Sequence, residues 1–114
     1  MKPRHLSFGP FVGVVLAVCL TPAVSVAELK VNEAELENFV IQDCGSCHGL
    51  TMRGGLGPPL RPEDLEQLPA EAIAAIIREG VDGTAMPPWK ALLSDDEMLW
   101  IGRQLKSGAL VADD

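Results

Sequence analysis

Aromatic side chains are scarce in this chain of 114 residues, which has three Phe, two Trp and no Tyr. A domain of this size buries only a modest share of its surface and commonly needs a disulfide, a metal or a cofactor to supplement its core. Because aromatic rings can supply little of that core, we expect a bound group to contribute apolar mass. The aliphatic residues expected to pack around it are Leu56, Leu60, Ile73, Ile76 and Ile77.

Basic residues are also few. Nine Lys and Arg stand against sixteen Asp and Glu, and the net charge is -7. Nucleic acid is bound largely through Lys and Arg, and anionic membrane surfaces attract basic segments for the same reason. The charge balance therefore argues against nucleic acid and against an anionic membrane as partners.

Long apolar runs are missing as well. The apolar stretch at residues 11–20 is shorter than the roughly 20 residues that a membrane-spanning helix needs. It follows Lys2 and Arg4 and leads to small residues before Glu28, a pattern typical of a secretory signal peptide. We predict a signal peptide over residues 1–27, cleaved after Ala27, and a mature domain over residues 28–114. The mature protein is then expected in the periplasm, without a membrane anchor.

The few Cys and His residues of the mature chain are adjacent. They form Cys44-Gly45-Ser46-Cys47-His48, a Cys-x-x-Cys-His sequence typical of covalent haem c attachment. The two thiols can add to the haem vinyl groups, and the imidazole then faces the iron. A redox dithiol, a disulfide and a zinc site are the alternatives. A two-residue disulfide loop stabilises little, and one dithiol with one His offers fewer ligands than a closed zinc site uses.

A haem held in this way needs a second axial ligand or keeps an open position. His5 leaves with the signal peptide, so Met52, Met86 and Met98 are the candidates. Met52 is too close to His48 in sequence to reach the opposite face easily, and Met98 falls in a helical apolar stripe, where Met usually fills core space. Met86 lies in an irregular segment with two prolines, and we predict that it is the ligand.

The hydrophobic periodicity predicts helices and no strands. We expect a first helix at residues 33–43 with Asn32 as N-cap, a helical turn at residues 62–66, a helix at residues 69–79 that starts with a proline, and a last helix at residues 95–106. Ser94 and Glu97 form a predicted capping box for the last helix. The fold class is therefore all-α, with irregular Gly- and Pro-rich loops around the two predicted iron ligands.

This order of elements resembles the class I cytochromes c over essentially the whole mature chain. The resemblance implies one covalent haem c per chain, attached through Cys44 and Cys47, with His48 as proximal and Met86 as distal iron ligand. It also implies that the carbonyl of Pro58, in the Gly57-Pro58 pair, accepts a hydrogen bond from the His48 ring and so supports the ligand.

The resemblance also implies that the N-terminal and C-terminal helices cross, with the single haem as core. The residues that match this crossing are Phe39 and Trp100, with Gly102 as a point of close approach.

Three runs, residues 44–50, 54–60 and 83–89, look like those of cytochrome c55X, a small periplasmic cytochrome of denitrification, and more distantly like the haem c part of cytochrome cd1 nitrite reductase. That likeness implies a monomeric electron carrier rather than an enzyme, with cytochrome cd1 nitrite reductase as redox partner. The alternative that it implies is a role in d1-haem biosynthesis or maturation of the reductase. The residues alone do not decide between the two.

Partner docking is expected where the two haem loops reach the surface. Arg53, Arg61 and Lys90 lie near these loops in sequence, whereas the acids crowd the helices, and such a separation can orient an encounter. Simple solvation of these charges is an equally good interpretation. The docking residues are predicted to be Ser46, Met52, Arg53, Gly54, Gly55, Pro88, Trp89 and Lys90.

Overall fold

The computed structural model describes residues 1, 9–10 and 32–111 of the chain. This part is helical and contains no strand. The helices are α1 at Glu33–Phe39, a π-helical segment at Val40–Cys44, α2 at Gly45–His48, α3 at Ala70–Glu79 and α4 at Asp95–Ser107. The predicted signal peptide and its cleavage after Ala27 fall almost entirely outside the described residues.

The first predicted helix begins where expected and ends later. The side chain of Asn32 accepts a hydrogen bond from the Glu35 backbone, at 3.3 Å, which caps α1. Instead of stopping before the cysteines, the helical path widens into the π-helical segment, in which the Gly45 N–H donates to the Val40 carbonyl. It then continues as α2 through His48. The wider turn holds one more residue than an α-turn, so it changes the direction in which Cys44 leaves the helix.

The predicted third helix forms, but its proline lies outside it. Pro69 has extended backbone angles and is the N-cap of α3, so the helix begins at Ala70. The turn predicted at residues 62–66 is present as hydrogen-bonded turns, in which the Leu65 N–H donates to the carbonyls of Arg61 and Pro62. The Lys106 ammonium of α4 donates to the carbonyls of Leu65 and Leu68 at 2.9 and 2.5 Å, and these bonds hold the turns against α4.

The last helix matches its prediction closely. The Ser94–Glu97 capping box is present, and α4 extends one residue further than predicted, to Ser107. Gly108 follows in the left-handed conformation, at φ 79°, and ends the helix.

The core lies mainly between α3, α4 and the residues that precede them. Its buried side chains are Leu36, Val40, Met52, Leu65, Ile73, Ile77, Leu93, Met98, Ile101, Leu105 and Leu110. The close approach predicted at Gly102 exists, but its partner is different. A methyl group on Gly102 would lie 2.6 Å from the Ala70 carbonyl oxygen of α3, so the glycine lets α3 and α4 pack tightly.

Helices α1 and α4 are neighbours. Residues of both helices line the same surface groove, with Glu33 and Glu37 on one side and Trp100 and Gln104 on the other. Phe39 makes an edge-to-face ring contact with Trp89, with centroids 5.3 Å apart. Phe39 thus ties α1 to the segment before α4, and a crossing of the two terminal helices stays a prediction.

Candidate haem site

The two motif cysteines lie on one continuous helical path. Cys44 ends the π-helical segment and Cys47 lies in α2, one turn further on, and both are free thiols of intermediate exposure. Burial, with a smaller contribution from the Asp43 carboxylate, raises the pKa of the Cys44 thiol to about 11. At neutral pH this sulfur is therefore a protonated thiol. A redox dithiol depends on a lowered thiol pKa, so the raised value argues against that alternative.

The His48 ring is oriented by a backbone carbonyl. Its Nδ1 lies 2.7 Å from the Pro58 oxygen, a distance at which the ring N–H donates to that carbonyl. This bond selects the tautomer in which Nε2 carries the free lone pair, the form required of a metal ligand. The same bond was implied by the resemblance to the class I cytochromes c.

The backbone of Gly57 lies in close contact with the His48 ring. A methyl group at this position would lie 2.8 Å from both Cε1 and Nδ1 of His48. The approach is possible because glycine has no side chain, and the ring is thereby held between Gly57 and the Pro58 carbonyl.

The loop at residues 49–60 returns to the attachment helix through short backbone hydrogen bonds. The Gly54 N–H donates to the His48 carbonyl at 2.7 Å, and the Gly57 N–H donates to the Cys47 carbonyl at 2.8 Å. These bonds join the loop to the last turn of α2. We call residues 49–60 the histidine loop.

The predicted distal ligand lies in a second loop, residues 81–89, which we call the methionine loop. Within the loop, the Val81 N–H donates to the Met86 carbonyl at 3.2 Å. At its end, the loop is joined to α3, because the Trp89 N–H donates to the Ile77 carbonyl at 3.1 Å. Met86 is half-buried and packs against the core cluster.

The two other candidate methionines lie inside the protein core. Met52 has no exposed surface and Met98 is 1% exposed. Met98 belongs to the buried side of α4, as the periodicity predicted. Met86 is thus the only one of the three that reaches the surface of the described part of the chain, and its role as iron ligand stays a prediction.

These residues fit a covalently held haem. The described part of the chain offers two free thiols one helical turn apart, and a neighbouring imidazole oriented through Nδ1. Among the described residues no group of three or more His, Cys, Asp or Glu side chains could hold a metal ion, which is unfavourable for a structural zinc site.

The aliphatic residues expected around the haem differ in how deeply they are buried. Ile73 and Ile77 are buried in the core of α3 and α4, and Leu60 packs against that core. Leu56 is 92% exposed and Ile76 is 37% exposed. Helical periodicity identified the buried pair, whereas it carried no information on the loop residue Leu56.

The predicted docking surface needs two corrections. Met52 cannot contribute, since it is fully buried. The separation of charges is weaker than expected, because Lys90 pairs with Glu79 at 2.8 Å and Arg61 pairs with Glu63 at 2.8 Å. Glu79 and Glu63 compensate these two cations. The charge pattern along the sequence did not indicate these pairs.

The roles of two residues that shape the site were missed by sequence reasoning. Thr84 bonds to the Met86 amide, and Gly80 packs against the backbone of the methionine loop. Trp89, which was predicted as a docking residue, also contacts Phe39. The Gly-Thr-x-Met-Pro-Pro sequence was a usable signal, since a Thr two residues before a constrained Met can bond to its amide.

In the described part of the chain, no helix is both long enough and apolar enough to cross a membrane.

Comparison with known proteins agrees with this geometry. Residues 31–103 match the family described as cytochrome C oxidase, cbb3-type, subunit III. Cytochrome c55X of Pseudomonas aeruginosa is 46% identical over 78 residues, which are 68% of this chain and 66% of that protein. Cytochrome c55X of Stutzerimonas stutzeri is 39% identical over 103 residues, 90% of this chain and 86% of that protein. A solved structure of a c-type cytochrome NirC superposes with a TM-score of 0.68 at 45% identity, covering 70% of this chain and 94% of that one.

Proposed function

The chain belongs to the class I c-type cytochromes and is like cytochrome c55X and NirC, and on this basis we propose that it is an exported one-electron carrier with a single covalent haem c. The observation that carries the proposal is the 2.7 Å contact between His48 Nδ1 and the Pro58 carbonyl, next to two free thiols on the same helical path. The signal peptide over residues 1–27 is part of this proposal.

The residues have distinct roles in it. Cys44 and Cys47 hold the cofactor as thioethers, and His48 binds the iron through Nε2 while Pro58 keeps the ring in place. Met86 binds from the methionine loop. When bound, the haem supplies a one-electron iron couple, and a thioether ligand favours its reduced state. Two protein ligands leave no iron position for a substrate, which suits electron transfer rather than catalysis.

The ligand assignment is tested by replacing each candidate methionine with leucine, which has a similar volume and no sulfur. We expect Met86→Leu to keep covalent haem but to lose the six-coordinate thioether spectrum, and the reduced protein should bind carbon monoxide rapidly. Met52→Leu and Met98→Leu are matched controls, since leucine fills nearly the same core volume. Both should keep the parent spectrum. Loss of the spectrum in Met52→Leu instead would transfer the ligand role to Met52.

We propose cytochrome cd1 nitrite reductase as the acceptor, in denitrification. The c55X relatives and the NirC neighbour support this choice. The test mixes reduced holoprotein with purified reductase and nitrite and follows reoxidation of the cytochrome. Transfer that sustains turnover supports the carrier role. Negligible transfer, with a normal spectrum in the same sample, moves the function to the alternative, assistance in d1-haem maturation.

We propose that the docking face includes Leu56, although the sequence predicted it among the residues around the haem. The loop reverses at this residue, because the Gly55 N–H donates to the Gly57 carbonyl at 3.0 Å. Gly57 contacts the His48 ring, and a methyl group on Gly55 would lie 2.7 Å from the Cys47 carbonyl oxygen. The exposed leucine is thus rigidly placed beside the attachment helix, where an apolar contact with a redox partner is expected.

A further inference from the structure

Both backbone polar groups of Met86 are held within the methionine loop. The Met86 N–H donates to the Thr84 hydroxyl at 3.3 Å, and the Met86 carbonyl accepts from the Val81 N–H at 3.2 Å. The Thr84 hydroxyl in turn donates to the Val81 carbonyl at 2.7 Å. A single side-chain oxygen therefore bridges the residue that opens the loop and the residue predicted to bind iron.

The same loop rests on the end of α3. Gly80 has φ 67°, and a methyl group on it would lie 2.7 Å from the Met86 oxygen and equally close to backbone atoms of Pro87 and Pro88. The Lys90 ammonium bonds Glu79 at 2.8 Å just beyond the loop. These contacts fix the two ends of the loop, whereas the position of the Met86 amide between them depends on Thr84.

We propose that Thr84 is a positioning residue, which holds Met86 in its iron-binding position and keeps that axial site closed to external ligands. The inference rests on the proposed function, in which Met86 is the distal ligand. An external ligand can reach the iron only from the fraction of molecules in which the loop has opened and Met86 has dissociated. The two hydrogen bonds of Thr84 stabilise the closed loop and reduce that fraction.

The chain contains a matched control for this hydroxyl. Ser107, at the end of α4, donates to the Gln104 carbonyl at 2.9 Å and accepts from the Ala109 N–H at 3.3 Å. Thr84 makes the same pair of bonds, to the carbonyl three residues before it and the amide two residues after it. Removal of either hydroxyl deletes equivalent local bonds, but only Thr84 lies in the methionine loop.

The experiment measures the rate at which ferric holoprotein captures imidazole, with Thr84→Val, Thr84→Ser and Ser107→Ala compared with the parent. Thr84→Val removes both hydrogen bonds of an exposed hydroxyl, and we expect it to capture imidazole about tenfold faster, which corresponds to about 1.4 kcal/mol. Its spectrum before imidazole is added should be unchanged, since Met86 remains bound. Thr84→Ser restores the hydroxyl and should capture at nearly the parent rate, and Ser107→Ala should do the same.

Two results would overturn the inference. One is an unchanged capture rate in Thr84→Val, and the other is an equal acceleration in Ser107→Ala, which would indicate general destabilisation. Both results can be distinguished from an error in the ligand assignment. If Met86 were not the ligand, Met86→Leu would keep the thioether spectrum. If Met86→Leu loses that spectrum while Thr84→Val captures at the parent rate, the carrier proposal stands and only the role of Thr84 is wrong.

Discussion

The histidine loop and the methionine loop hold their predicted iron ligands through different contacts. In the histidine loop, residues 49–60, the ligand and its support are separated by ten residues, and the loop bonds directly to the turn that carries His48. In the methionine loop, residues 81–89, the ligand is held by a side-chain hydroxyl and by the end of α3. The histidine loop is therefore held to its own attachment helix, whereas the methionine loop is held partly by an internal hydroxyl and partly by α3.

This difference has a consequence for ligand exchange. In the proposed holoprotein, His48 belongs to a helix that is also attached through Cys44 and Cys47, so its dissociation from iron would require movement of a covalently tethered helix. Met86 would dissociate when the methionine loop alone separates from α3. We therefore expect the methionine side to open first under thermal or chemical stress, and three substitutions test the contrast.

The largest effect is expected at Gly80, on the methionine side. Gly80→Ala combines a positive φ with a contact of 2.7 Å to three backbone atoms, none of which can rotate away. We expect a loss of about 3 kcal/mol in the free energy of unfolding of the holoprotein, measured by guanidinium titration, and faster imidazole capture.

Gly83→Ala is its control, because Gly83 has φ 76° but nothing within 4 Å of an added methyl group. It should lose only the cost of the backbone conformation, about 1 kcal/mol. Equal losses in the two variants would show that the contact between Gly80 and the Met86 backbone does not stabilise the loop.

A smaller effect is expected at Gly57, on the histidine side. Gly57→Ala places a methyl group 2.8 Å from Cε1 and Nδ1 of the His48 ring, and the same Nδ1 is held by the Pro58 carbonyl. We expect a loss of about 2 kcal/mol in unfolding free energy. Because the bond to Pro58 raises the basicity of the ligand, weakening it should also raise the reduction potential.

Gly45→Ala is the control for Gly57→Ala, because Gly45 lies in α2, the attachment helix that carries His48. Its methyl group would meet mainly Leu50, at 3.3 Å from a flexible side-chain end, so its potential should equal that of the parent. A potential that is unchanged in Gly57→Ala as well would contradict the role assigned to the His48–Pro58 bond.

The smallest effect is expected for the Glu79–Lys90 pair beyond the methionine loop. The hydrogen bond and charge of Lys90 lower the pKa of Glu79 below its usual value of 4.5. A lowered folded-state pKa contributes stability above the unfolded value, and this contribution is lost as the pH falls through the lowered pKa. Glu79→Gln should therefore be slightly less stable than the parent at pH 7, and the difference should vanish in acid.

Thermal unfolding of the parent and Glu79→Gln across this pH range makes the measurement. Glu79 also lies 3.8 Å from the Arg78 guanidinium, so in a Lys90→Gln background the Glu79→Gln substitution should have a smaller effect at pH 7 than it has in the parent. An effect as large as in the parent would mean that Lys90 does not contribute to the stabilisation by Glu79. The effect is small in any case, since exposed ion pairs contribute little.

Sequence reasoning was most accurate where the determinants are local. The Asn32 and Ser94 caps and the end of α4 near Gly108 were predicted from residues within a turn of each terminus, and the structure has them. The continuation of the helix through the π-helical segment was not predictable from caps, because it depends on burial of Val40 in the tertiary core. The partner of Gly102 was wrong for a related reason, since a glycine indicates a close approach without identifying the element that approaches.

The sequence by itself determined the attachment motif, the scarcity of alternative ligands and the all-helical pattern, because each depends on residue type and spacing along the chain. It also indicated Pro58 as the support of His48, through the Gly57-Pro58 pair and the resemblance to the class I cytochromes c. The Arg61–Glu63 pair and the bonds of Thr84 to Val81 and Met86 join residues close in sequence, but the structure was needed to show that these side chains make them. Tertiary structure alone decided that Met52 is buried and that Lys90 is paired with Glu79, because these facts depend on segments that meet only after the chain has folded.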